Sequence, residues 1–113
     1  MVLHRGLHGQ IVTDGPPRLS YGTVRESKRQ AIYAVRIHDA ILDLREIDEI
    51  ASRMREKLAH RGEPSAEVVV VQGDTKETLR LFGSPYSVNR VRGAMFSAAI
   101  RWTPIDLDLG AAS

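Results

Sequence analysis

The chain has no cysteine among its 113 residues, which removes disulfides, thiolate metal ligands and thiol nucleophiles together. Aromatic residues make up only 5% of it, and the aromatic-rich strands on which RNA-recognition sheets stack bases are missing, Phe82 and Tyr33 being the chief candidates. No apolar run approaches the roughly 20 residues a membrane helix requires. The first residues, Met1 to Gly6, lead into no apolar segment of the kind a secretory signal carries. A cytoplasmic protein without membrane contact is therefore expected. Neither GxGxxG nor GxxxxGKS/T occurs, so mononucleotide binding has no support in the sequence. Internal repeats, low-complexity tracts and long linkers are lacking too.

Charge is short in bulk and uneven in place. The formal net charge of +2 would by itself hold nucleic acid only weakly. Two stretches are nevertheless basic: Arg5, Arg18, Arg25, Lys28, Arg29 and Arg36 face only Asp14 and Glu26, and Lys76, Arg80, Arg90, Arg92 and Arg101 face only Glu77.

What is present is ordinary globular material, of a length that matches one domain (1–113). Residues 1–26 read as an N-terminal arm or hairpin, in which Gln10–Thr13 and Arg18–Tyr21 flank a turn at Asp14-Gly15-Pro16-Pro17. Residues 30–109 read as an α+β core. Tyr33, Val35 and Ile37 alternate as a strand does, although Ala31, Val35, His38 and Leu42 also keep helical spacing. Asp43 with Glu46 three residues on makes a capping box, Ile47, Ile50, Ala51, Met54 and Leu58 form an apolar stripe behind it, and Gly62 with Pro64 ends the helix. Val68 to Val71 form a β-branched run too short for a helix and buried on both faces. Thr78–Phe82 alternates as a partner strand. Ser84 then caps a second helix with Pro85 at its first position, and Val88, Val91, Met95, Ala99 and Trp102 give its buried stripe. Ile105, Leu107 and Leu109 alternate with Asp106 and Asp108 as a closing edge strand. The resulting order, βαββαβ, is that of a ferredoxin-like two-layer sandwich.

In that architecture the valine strand would lie at a sheet edge, an aggregation hazard unless a partner covers it. Val69 and Val71 are thus candidate partner-binding residues. The second helix supplies four more: Arg90 and Arg101 on one side, with Phe96 and Ile100 projecting off the buried stripe, around a mid-helix Gly93 that suits close approach of another backbone. Arg36, Arg80, Asp106 and Asp108 would share the open face of the sheet as a polar site.

Catalytic signals are thin. Asp106 and Asp108 are two strand residues apart, but no third ligand completes a metal site. His4 and His8 have helical ligand spacing without a helix. His38-Asp39 lacks a nucleophile motif beside it, and His60 suits the end of the first helix. The expectation is a non-enzymatic protein-interaction module without cofactor or metal, a homo-oligomer or a small subunit of a larger assembly. The rival is a basic nucleic-acid-binding module using Arg90, Arg92 and Arg101.

Overall fold

A computed structural model describes residues 3–5, 11–13, 17–25 and 30–109, the first two segments by their backbone pairing alone. Among these described residues, seven strands and two helices follow in the order β1 (Leu3–Arg5), β2 (Ile11–Thr13), β3 (Arg18–Arg25), β4 (Ala31–His38), α1 (Leu44–His60), β5 (Glu67–Gln72), β6 (Arg80–Phe82), α2 (Pro85–Phe96) and β7 (Thr103–Ile105). The chain is α+β: β1 and β2 form a two-stranded sheet, and the other five strands form a mixed sheet of order β6-β5-β4-β3-β7.

The alternating segment from Ala31 is a strand, because its neighbours on both sides offer ladders: β3 antiparallel and β5 parallel. β5 is reached from β4 through α1, and a parallel pair needs such a crossover. The first helix begins as its cap residues dictate. Asp43 Oδ1 accepts from the Glu46 N–H at 2.9 Å, and Glu46 Oε1 accepts from the Asp43 N–H at 3.2 Å. Ile47, Ile50, Ala51, Met54 and Leu58 are all buried, and Gly62, at φ +85°, ends the helix in a conformation that suits glycine.

The ferredoxin-like order is not the one observed, and the valine run shows why. Val68 and Val70 join Tyr33, Val35 and Ile37 in a core beneath α1, whereas Val69 and Val71 join Ile32 and Ala34 in a second core with Val91 of α2. Successive strand residues point to opposite faces, so the two helices cover opposite faces of the sheet and the arrangement has three layers. β5 is no edge: β4 lies on one side and β6 on the other. Four consecutive valines are what a strand paired on both sides and covered on both faces calls for, each burial contributing about 1.5–3 kcal/mol.

Two further expectations change at the ends. Arg18–Tyr21 does not pair with the segment before it. It belongs to β3, which lies between β4 and β7, while β2 pairs with β1. The core sheet therefore starts at Arg18, and the turn expected at Asp14 to Pro16 lies outside the described residues. The closing strand is shorter than its alternation suggests. It stops at Ile105, because the Asp106 carboxylate accepts from the Asp108 N–H at 2.9 Å and Asp108 adopts φ +58°, a local turn that competes with the ladder. Leu107 still reaches the α1 core.

Candidate functional site

Two places on this scaffold carry more chemistry than packing requires. One is the outer face of α2. Ser84 caps the helix, its Oγ accepting from the Ser87 N–H, and Pro85 occupies the first turn. Val91 and Ser87 turn inward, the Ser87 hydroxyl donating to a Glu67 carboxylate oxygen at the start of β5. Outward, Tyr86, Arg90, Gly93 and Ser97 fall at i, i+4, i+7 and i+11, with Phe96 beside them, on one face. Tyr86 and Phe96 are each 59% exposed, and from Thr78 to Ile105 there is no acidic side chain. Lys76 stands 5.8 Å from the centre of the Phe96 ring. Gly93 leaves a notch in this face, and among the described residues nothing beyond its own turn of helix lies within 4 Å of where its β-carbon would be.

The second place is the carboxyl end of β4, on the sheet face that α2 covers. Arg36 stands directly opposite Ser20 of β3 and Val71 of β5. Its guanidinium lies 5.5 Å from the centre of the Trp102 ring, and its nearest carboxylate, Asp74, is 3.6 Å away and mostly exposed. The Arg36 Nε is buried without a hydrogen-bond partner among the described residues. Two residues further along β4, His38 Nε2 lies 2.9 Å from the buried Ser20 Oγ. From this pair a groove of about 550 Å³ runs around the β7 edge, over Pro104 to Ile105 and Leu107, with Arg18 at its rim.

The residues singled out from the sequence are distributed unevenly over these places. Phe96 and Arg101 are exposed, as is Arg90, while Ile100 is buried in the second core and Val69 and Val71 are completely buried. Of the polar set, Arg36 lies beside Ser20 on the sheet face that α2 covers, and Asp106 lines the groove. Arg80 is paired with Gln72 at the β6 edge and faces away from Leu81. Asp106 and Asp108 sit in the turn after β7, where the Lys57 ammonium donates to the Asp106 carbonyl at 3.3 Å. The four are not brought together.

Ser20 was not singled out from the sequence, because its pairing with His38 spans 18 positions and depends on the β3–β4 register. The serine and histidine do not extend to a triad: Asp39 turns outward to pair with Arg18 at 2.7 Å, and its carboxylate is thereby committed. Among the described residues no cluster of three or more potential metal ligands occurs, and no helix is long and apolar enough to cross a membrane. No protein-family model, curated protein or solved structure matches the chain.

Proposed function

We propose that this chain is a non-enzymatic interaction module that associates with further copies of itself, the α2 face of one copy receiving the start of α1 of the next. The observation that carries the reading is a pair of exposed apolar patches of opposite charge in one molecule. Tyr86 and Phe96 lie in the segment 81–105, whose only charged side chains are Arg90, Arg92 and Arg101. Ile41 and Leu44, 70% and 66% exposed, lie in a segment where Asp43, Glu46, Asp48 and Glu49 outnumber Arg45. Large exposed apolar side chains rimmed by complementary charge are what steer and then hold a protein contact. The Gly93 notch supports the same face, since a mid-helix glycine costs about 1 kcal/mol relative to alanine and no other element among the described residues uses the space. An open valine edge, the motive for self-association in the sequence, plays no part, because β6 closes it.

The contact joins two different surfaces, so it either closes into a ring or grows with concentration. Sedimentation of the purified protein should show a mass that rises with concentration, and both Phe96→Ser and Leu44→Ser should return it to the monomer without loss of fold. A monomer at all concentrations defeats the reading. Should the monomer bind mixed oligonucleotides with a steep salt dependence that Arg92→Glu abolishes, the basic face belongs to a nucleic-acid-binding module instead.

A further inference from the structure

We propose that the groove around the β7 edge binds a neutral amphiphile with a hydroxyl head and a short aliphatic tail, the head on the Ser20–His38 pair and the tail along Pro104 and Leu107. The site is separate from the α2 face, and either proposal can fail without the other.

The groove exists because two strands part. β7 runs beside β3 only as far as Ile105, opposite Leu19, and the Asp106 carboxylate then turns the chain by accepting from the Asp108 N–H. The departing segment is held against α1: the Lys57 ammonium donates to the Asp106 carbonyl, and Leu107 is buried in the core beneath that helix. On the other side the start of β3 is held by β4, with Arg18 opposite His38. Both walls are thus fixed by contacts that need no occupant. The space between them, about 550 Å³, falls within the usual range for small-molecule sites. Ser20, His38, Pro104, Leu107, Arg18 and Asp106 all line it.

The head group follows from Ser20 and His38. Ser20 is 8% exposed, and its hydroxyl meets His38 Nε2 at 2.9 Å, which leaves part of its hydrogen-bonding capacity open. His38 is only half-buried, and its Nδ1 has no partner among the described residues. Whichever ring nitrogen carries the proton, Nδ1 then presents either a donor or an acceptor. A hydroxyl answers both, since it donates and accepts.

Charge on the ligand is disfavoured from both signs. Arg18 is already paired with Asp39 at 2.7 Å, and a carboxylate would also face Asp106. An ammonium would lose water against proline and leucine with only the exposed Asp106 to meet it. The tail follows from those same walls, which beyond the four polar residues are apolar throughout.

Titration with 1-hexanol at neutral pH should shift backbone amide resonances saturably, centred on Arg18 to Ser20 and Ile105 to Leu109. Its midpoint should lie at least about tenfold below that of 1-butanol, which is two methylenes shorter. Hexanoate and hexylamine should bind at least about fivefold more weakly than 1-hexanol. Ser20→Ala and His38→Phe should each weaken hexanol binding severalfold. Should Ser20→Ala, at a buried position, fail to fold, His38→Phe decides alone. The proposal is overturned by the lack of any saturable response, by shifts centred away from the groove, or by a hexanol midpoint that these variants leave unchanged. Equal midpoints for butanol and hexanol overturn the tail, and hexanoate or hexylamine binding as tightly as hexanol overturns the neutral head.

Discussion

Ile100 packs directly onto the backbone of Gly22, with its Cγ2 in the space that a β-carbon on residue 22 would fill. This contact, between a residue just beyond α2 and the middle of β3, sets how closely the chain after α2 lies on the sheet. Gly22→Ala should cost about 2–3 kcal/mol through overpacking. In an Ile100→Ala background the obstructing methyl is gone and the same change should cost at least about 1 kcal/mol less, a coupling that a double-mutant cycle in urea measures. Equal costs in both backgrounds would show that the Arg101 carbonyl, 3.1 Å from the same point, sets the limit instead.

Tyr33 donates its phenol O–H to Glu63 Oε2 at 2.5 Å. Burial, followed by the hydrogen bond and the negative charge of Glu63, raises its pKa above 10.0. The folded state therefore keeps a proton that the unfolded chain releases first as pH rises. This contribution is fully present below pH about 10 and fades as pH climbs through the folded-state pKa. Denaturation midpoints followed from neutral to strongly alkaline pH should fall less steeply for Tyr33→Phe than for the unaltered chain. The substitution should itself cost about 1 kcal/mol at neutral pH.

The capping box of α1 makes a separable prediction. Asp43→Ala removes the acceptor for the Glu46 N–H and should lower stability by about 1 kcal/mol. Asp43→Asn, which keeps an oxygen in place, should recover most of it. Both are exposed changes, so unfolding free energies compare directly.

Helix α2 has its small residues in unexpected places. Gly93 occupies an open mid-helix position, and Ala98 adopts φ +56° just past the helix end, the left-handed position that glycine usually fills. Gly93→Ala and Ala98→Gly should each stabilise the monomer by about 1 kcal/mol, read as higher thermal midpoints in dilute protein. If the Gly93 notch seats a second copy, Gly93→Ala should at the same time weaken self-association, and Ala98→Gly should not.

Local signals carried most of the elements. The Asp43–Glu46 box, the apolar stripe behind it, the Ser84-Pro85 start and the four valines each act over a few residues of chain, so their outcome is readable before any folding. The candidate sites were less legible. Phe96 and Arg101 stand exposed, but the helix expected to carry its stripe on to Trp102 ends at Phe96, and Ile100, two residues past the Ala98 turn, follows no helical phase and goes to the core. Alternation placed Asp106 and Asp108 on a strand that a side-chain hydrogen bond ends. Ser20 and His38 have nothing between them in the sequence that marks their meeting.

What the residues determined unaided is the backbone state of each segment, because helix caps, turn glycines and β-branched runs act on dihedrals within one or two turns of chain. Which strand lies beside which, and on which face of the sheet each helix settles, was decided only in three dimensions. Both faces of the valine strand had to be covered and both its edges paired, and several connections satisfy those demands locally. The one adopted sets α1 and α2 on opposite faces, closes β5 with β6, pairs Ser20 with His38 and lays Arg36 beside Trp102.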